Sequence, residues 1–256
     1  MLIHLHQMRI DALDFPGNGA RILRLFRDSE ADLSVFPEAC TSGYSFSYLK
    51  EVAAFNGEFL VRAREETKNR ERGLILPLLA EDGGRYFNRT YCLGPDGEIL
   101  GTYDKIHMIG VLEEDRYLSP GTEPGILDFP SSGGRVRLGL ATCYDIRFPE
   151  LFRRLVLREK ADLLILPALW PSVRKEHLRI LARARALENQ IPLLAVNATG
   201  SCGSLELGGE SAIVSETGSL LGELGTQEGR LEFRYDPEAV RAFRRDFPAL
   251  QDVRLL

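Results

Sequence analysis

Histidine is scarce in this sequence, with four among 256 residues, at positions 4, 6, 107 and 177. None lies in a papain-like or caspase-like signature, so thiol chemistry built on a neighbouring imidazole has no obvious partner. Cysteine is equally rare, at 40, 92, 143 and 202, and forms no CxxC pair and no zinc-type spacing. A structural metal centre is therefore not expected. A chain of this size has core enough to fold without disulfides. No apolar run approaches membrane-span length. The opening Met1-Leu2-Ile3-His4-Leu5-His6-Gln7-Met8 lacks the basic start, long apolar stretch and small-residue cleavage site of a secretory signal. There is no basic excess either. Lys and Arg number 32 against 37 Asp and Glu, a net charge of -5 that offers no general attraction to nucleic acid or an acidic membrane. These absences lead us to expect a cytoplasmic protein with reduced thiols and no nucleic-acid or membrane partner.

What is present is ordinary globular composition, 44% hydrophobic and 27% charged. No linker, repeat or low-complexity segment divides residues 1–256, which read as one domain with a tail over 236–256. Short apolar runs alternate with amphipathic ones. The pattern predicts helices near 21–26, 58–72, 148–160 and 174–189, the last with Leu178, Leu181 and Leu187 inward. Strands are expected over 33–36, 74–78, 88–93, 98–103, 135–142, 162–167, 191–197, 211–215, 219–224 and 230–235. Gly94-Pro95-Asp96-Gly97 joins two of these as a hairpin, because proline presets a turn and Asp-Gly tolerates positive φ. The class is α/β. Periodicity alone leaves a doubly wound sheet and a two-sheet sandwich with outer helices both open.

Three strand ends carry reactive groups. In Gly139-Leu140-Ala141-Thr142-Cys143-Tyr144-Asp145-Ile146-Arg147-Phe148-Pro149-Glu150 an apolar strand runs into a cysteine, and a proline-started helix follows. Such a corner exposes a side chain and leaves backbone N–H groups free for a developing oxyanion. A free cysteine is more often a small buried apolar residue, so Cys143 needs company to count. A thiol also needs a base or a cation, being mostly protonated at neutral pH. Glu38 follows an apolar strand and Pro37, and Lys105 ends the second hairpin strand in Tyr103-Asp104-Lys105-Ile106-His107. Singly, each reads as a surface charge; together they form a constellation.

These segments, in this order, resemble the nitrilase (carbon–nitrogen hydrolase) superfamily. The resemblance runs from Phe36-Pro37-Glu38 through the Lys105 and Cys143 segments to Ala184-Arg185-Ala186-Leu187-Glu188-Asn189-Gln190 and Gly209-Glu210-Ser211. It places a further glutamate at Glu114, within Glu114-Asp115-Arg116-Tyr117-Leu118-Ser119-Pro120-Gly121. It implies a four-layer α-β-β-α sandwich, no cofactor, and hydrolysis of a small-molecule amide through a cysteine thioester. Glu38 would be the general base, Lys105 and the Tyr144 backbone N–H would stabilise the oxyanion, and Glu114 would orient Lys105. It also implies a homodimer or higher homo-oligomer, with the Arg174–Gln190 helix in the contact and the tail free to cross onto a partner subunit.

Within the superfamily, the Cys143 segment, Leu169-Trp170-Pro171 and Arg245-Asp246-Phe247-Pro248-Ala249-Leu250 are similar to bacterial ω-amidases, which act on 2-oxoglutaramate or 2-oxosuccinamate. A remote carboxylate calls for a guanidinium. Arg147 is the candidate clamp, its alternative being an ion pair with Asp145 or Glu150. Trp170 and Tyr44 are further candidates for substrate contact, although Trp170 could equally fill the core. Departures from the pattern are Ala198-Thr199 after Asn197, Glu210 where a histidine is common, and a short Met108–Glu113 loop. Other readings are a carbamoyl-amine or deaminated-glutathione amidase, a non-catalytic protein retaining the fold, and a redox protein in which Cys40 reaches Cys143.

Overall fold

Every residue of Leu33–Val35, Leu163–Ala168 and Leu193–Asn197 is buried, as expected of strands covered on both faces. The computed structural model describes residues 1–203 and 205–254, and it places these strands at the centre of two sheets. In the first sheet, β1 (Leu2–Gln7), β2 (Leu33–Val35), β3 (Gly73–Asp82), β4 (Arg85–Leu93), β5 (Ile99–Asp104) and β14 (Gly229–Arg234) lie in the order β14-β1-β2-β3-β4-β5. The second contains β6 (Gly125–Ser131), β7 (Gly134–Leu140), β8 (Leu163–Ala168), β9 (Leu193–Asn197), β12 (Ala212–Val214) and β13 (Leu220–Glu223), ordered β13-β12-β9-β8-β7-β6. A separate two-stranded ribbon joins β10 (Thr199–Cys202) to β11 (Leu205–Gly208).

The core divides into three clusters, one for each interface of a four-layer stack. Leu5, Val35, Ile75, Leu138, Ile165 and Val196 meet between the sheets. Helices α1 (Phe15–Arg27) and α2 (Leu49–Arg70) cover the outer face of the first sheet through Ile22, Phe26, Val52 and Phe59. Helices α3 (Pro149–Leu157) and α4 (Lys175–Asn189) cover the second through Phe152, Leu155, Leu178 and Ala182. The result is the α-β-β-α sandwich.

The expected strands are all present, and the Gly94–Gly97 turn joins β4 to β5 with Gly97 at φ 83°. Strands β6, β10 and β11 and the helix over Pro237–Asp246 were not expected, and three further differences have a plain physical cause. Strand β1 went unread because two histidines interrupt it. Both are buried, with His4 Nδ1 2.8 Å from Ser29 Oγ and His6 stacked on Phe36 at 4.7 Å. Helix α2 begins nine residues before the expected 58, since its inner stripe Leu49, Val52, Asn56, Phe59, Ala63 and Thr67 contains polar members. Asn56 is satisfied there by Thr41 Oγ1 and the Leu79 carbonyl. In α4 the inner residues are Leu178, Ala182, Arg185, Ala186 and Asn189, which follow a 3.6-residue period, whereas Leu187 is 52% exposed.

The tail begins with α5 (Pro237–Asp246), which sits on its own chain. Val240 is buried, Arg244 Nε donates to the Gln190 carbonyl at 3.0 Å, and Gln190 Nε2 donates to the Phe247 carbonyl at 2.6 Å. Residues 255 and 256 of the tail lie outside the described residues.

Candidate active site

Four strand ends meet at one edge of the sandwich. The chain leaves β2 through Phe36 and Pro37 into Glu38, and the next residue, Ala39, holds φ at 43°, turning the carboxylate back into the interior. Lys105 directly follows β5, and its backbone N–H donates to the Asn88 carbonyl on β4 at 3.0 Å. Cys143 stands three residues beyond β7, and Leu169 one residue beyond β8. Because parallel neighbours in a sheet end on the same side, loops from different strands share this edge.

The charged groups are buried together. Lys105 and Glu38 have no exposed surface, and Glu114 is 1% exposed. Lys105 Nζ lies 3.0 Å from Glu38 Oε1 and 2.9 Å from both oxygens of Glu114. Glu114 also accepts from the Ile109 backbone N–H at 2.9 Å, so the short 108–113 loop is tied to the lysine's partner. Burial works against the lysine's charge, but the two carboxylates outweigh it and hold its pKa above the ordinary value, so it stays an ammonium. Burial raises the Glu114 carboxyl, with the Lys105 charge opposing and Glu38 reinforcing.

Glu38 accepts four hydrogen bonds. Oε1 accepts from Lys105 and from Asn88 Nδ2 at 2.7 Å, and Oε2 accepts from Tyr44 OH at 2.9 Å and the Leu169 N–H at 2.8 Å. Tyr44 OH is also 3.9 Å from Cys143 Sγ, and the Lys105 ammonium lies 5.7 Å from the centre of the Tyr44 ring. Burial, reinforced by the Glu38 charge and opposed by Lys105, pushes the Cys143 thiol well above its usual pKa. The Cys143 side chain therefore rests as a thiol, and a thiol needs a base before it can attack.

Cys143 itself has φ at 48°, a conformation that costs a non-glycine residue on the order of 1–3 kcal/mol. The tight turn Cys143–Arg147 that it opens is secured by Asp145. This buried carboxylate accepts from the Thr142 N–H at 2.8 Å, from Tyr103 OH at 2.6 Å, and from the backbone and ring nitrogens of His107 at 3.1 and 2.7 Å. Arg185 adds a bond from Nε to the Ile146 carbonyl at 2.9 Å. Tyr144, in the first turn, keeps a backbone N–H with no intrahelical acceptor.

A cavity of about 340 Å³ opens onto Cys143, lined by Ile109, Leu112, Tyr144, Leu169 and Leu205 among others. Arg147, Trp170, Arg174 and His177 share the lining. Trp170 is buried, borders the cavity and donates from Nε1 to the Arg174 carbonyl at 2.7 Å. Arg147 forms neither of the ion pairs considered for it. Asp145 is taken up by His107, and the Arg147 guanidinium lies over the Trp170 ring at 4.9 Å and 3.3 Å from His177 Nδ1. Among the described residues, neither Arg147 nor Arg174 has an acidic partner within 4.0 Å. Larger cavities lie elsewhere, along α4 and β13 for instance, but none of those touches the thiol.

The sequence reading had missed Asn88, Asp145, Arg174 and His177 as parts of this site. Asn88 was findable from the hairpin register, which sets it opposite Lys105. Arg174 and His177 carried no local signal. All four cysteines are free, and Cys40 Sγ faces the Pro77 carbonyl at 3.1 Å. Among the described residues no cluster of His, Cys, Asp and Glu is arranged to hold a metal, and no helix is long and apolar enough to cross a membrane.

The family model described as carbon-nitrogen hydrolase matches residues 2–245. A 2-oxoglutaramate amidase of Bacillus subtilis (strain 168) is 33% identical over 228 residues, covering 88% of this chain and 85% of its own. A CN-hydrolase superfamily protein from Xanthomonas campestris with an arsenic adduct in its active site superposes with a TM-score of 0.92 at 27% identity, covering 100% of this chain and 98% of its own. A glutamate-to-glutamine variant of an amidase from Nesterenkonia sp. AN1 shows covalent addition of the acetamide moiety of fluoroacetamide at its active-site cysteine. It superposes with a TM-score of 0.83 at 28% identity, covering 96% of each chain.

Proposed function

The chain belongs to the carbon–nitrogen hydrolase family, and from that premise we propose that it is an ω-amidase, cleaving the terminal carboxamide of 2-oxoglutaramate or 2-oxosuccinamate to carboxylate and ammonia. One observation carries the substrate class: two guanidinium groups without acidic partners, Arg147 and Arg174, line the cavity that holds Cys143. A guanidinium with no acidic partner is free to grip a carboxylate with two parallel hydrogen bonds. The relative from Bacillus subtilis, named for 2-oxoglutaramate, supports the same reading.

The catalytic roles follow from the contacts. Glu38 takes the Cys143 proton as sulfur attacks the amide carbon. The oxyanion forms against the Lys105 ammonium and the Tyr144 N–H, which are charged or oriented before the reaction begins. Glu38 returns its proton to the departing nitrogen, and ammonia leaves a thioester on Cys143. Water, deprotonated by Glu38, then releases the acid and restores the thiol. Glu114 holds the lysine in place and keeps it charged. Trp170 walls the substrate, while Tyr44, which is not part of the cavity lining, meets Glu38 and Cys143 instead.

We place the protein in the cytoplasm, where its four free cysteines stay reduced. We read it as a homodimer. Ile180 and Leu187 on α4, with Leu220 on β13, are exposed and line one groove that a second copy would cover.

Ammonia release from 2-oxoglutaramate, 2-oxosuccinamate, an N-carbamoyl amine and deaminated glutathione tests the substrate. The two keto-amides should have the highest kcat/KM; a preference for either of the others replaces this assignment.

A further inference from the structure

A carboxylate offers about four acceptor positions, two on each oxygen. In Glu38 all four are filled, by Lys105 Nζ, Asn88 Nδ2, Tyr44 OH and the Leu169 N–H. A base in that state has no free lone pair for an incoming proton, so the proton must arrive along one of the four bonds already made. Three of the four cannot serve. The Leu169 donor is backbone, the Asn88 amide has no proton to release, and the Lys105 ammonium is held charged by two carboxylates. The Tyr44 hydroxyl differs because it can donate one proton while accepting another. It is also the donor that touches the nucleophile, at 3.9 Å from Cys143 Sγ, within the range of a sulfur hydrogen bond.

We propose that Tyr44 is a catalytic residue that relays the proton between Cys143 and Glu38. The Sγ–H bond breaks as its proton passes to the Tyr44 oxygen, the Tyr44 O–H proton passes to Glu38 Oε2, and the sulfur electron pair forms the bond to the amide carbon. The phenol is neutral before and after, and Glu38 ends as the carboxylic acid that later protonates ammonia. Burial first, then the neighbouring Cys143 and Glu38 charges, hold the phenol well above its ordinary pKa, so it does not settle as a phenolate. The ring is fixed for this task. It stacks on Phe46 at 5.4 Å, and the Tyr44 backbone N–H is anchored on Cys202 Sγ at 3.2 Å.

This inference rests on Cys143 as nucleophile and Glu38 as base, and the experiment separates the two ideas. Tyr44→Phe keeps the ring and removes one oxygen. The assay uses whichever of 2-oxoglutaramate and propionamide is turned over faster, and measures kcat and KM for wild type, Tyr44→Phe, Glu38→Gln and Cys143→Ala. Rates in mixtures of light and heavy water count the protons in flight on wild type, independently of any variant. The relay predicts that Tyr44→Phe lowers kcat about 100-fold or more with KM little changed. It also predicts a curved, two-proton dependence on deuterium in wild type. If Tyr44→Phe stays within about three-fold of wild type while Cys143→Ala and Glu38→Gln are inactive, the relay is wrong and the catalytic pair stands. A linear, one-proton dependence in wild type also overturns the relay. Activity retained in Cys143→Ala removes both.

Discussion

Asp145 Oδ1 accepts two hydrogen bonds from one residue, His107, through its backbone N–H at 3.1 Å and its ring Nδ1 at 2.7 Å. Asp145 is two residues past Cys143 and His107 two residues past Lys105, so this pair ties the Cys143 turn to the Lys105 segment. The second carboxylate oxygen ties in Tyr103, two residues before Lys105. Stacking of the His107 ring on Phe148 at 3.7 Å closes the same joint from the far end of the nucleophile turn.

Asp145→Asn puts an N–H₂ where the buried carboxylate accepted protons, leaving a donor facing a donor. Charge-assisted bonds of this kind contribute about 1.5–3 kcal/mol each. We expect the melting temperature to fall by about 5 °C or more. With the register between Cys143 and Lys105 loosened, kcat should fall about 10- to 100-fold and KM should hardly move. Calorimetry and steady-state kinetics on one preparation check both; an unchanged kcat would show that the joint is structural only.

Glu38→Gln should make the thiol more acidic even as it destroys catalysis. The Glu38 charge raises the Cys143 pKa and Lys105 opposes it. Neutralising the carboxylate leaves the lysine acting alone, so the thiolate is favoured. The pH midpoint for alkylation of Cys143 by iodoacetamide, mapped by mass spectrometry, should shift down relative to wild type. Amide hydrolysis should drop by a factor of about 10² to 10⁴. An upward shift would contradict the assigned contact.

Lys105→Met leaves two buried carboxylates facing each other without a cation. Breaking a buried pair in this way costs about 3–5 kcal/mol. The Glu114 carboxyl, already raised by burial, rises further without its ammonium. Between its unfolded and folded pKa the native state then binds a proton that the unfolded chain releases, so stability falls as pH rises. Urea unfolding should therefore show a larger deficit of the variant relative to wild type at pH 8 than at pH 5.

Arg147→Ala and Arg174→Ala test the carboxylate clamp. A charge-assisted bond of about 1.5–3 kcal/mol corresponds to a rise in KM of about 10- to 150-fold for an anionic amide. A neutral amide such as propionamide should be spared. Equal loss on both substrates would mean that these arginines support the cavity wall without reading charge.

Ile180→Asp combined with Leu187→Asp puts two charges on the exposed face of α4. Sedimentation should show wild type as a dimer and the variant as a monomer. A variant that still sediments as a dimer would move the interface elsewhere.

Much of the arrangement was legible before any coordinates. The strand signals around 33–36, 88–104 and 135–142 rest on apolar runs and turn chemistry, and each delivered Glu38, Lys105 or Cys143 to a strand end. At β1 and at the start of α2, buried polar side chains hid the pattern. His4, His6 and Asn56 sit in apolar patterns because Ser29, Phe36 and Thr41 satisfy or cover them, and those partners are distant in sequence. Leu187 was set inward on chemical type alone, although the helical period turns it outward.

Local chemistry along the chain determined which residues end strands, where the hairpin turns, and which side chains bear a thiol, an ammonium or an acid. Only tertiary structure decided that Glu38 would be surrounded by four donors, that Arg174 would share a cavity with Cys143, and that Asp145 would bind His107. Those facts depend on segments up to 131 residues apart meeting at one sheet edge, as Glu38 and Leu169 do. Periodicity and motif describe a residue's neighbours along the chain, whereas hydrogen bonding and charge depend on its neighbours in space.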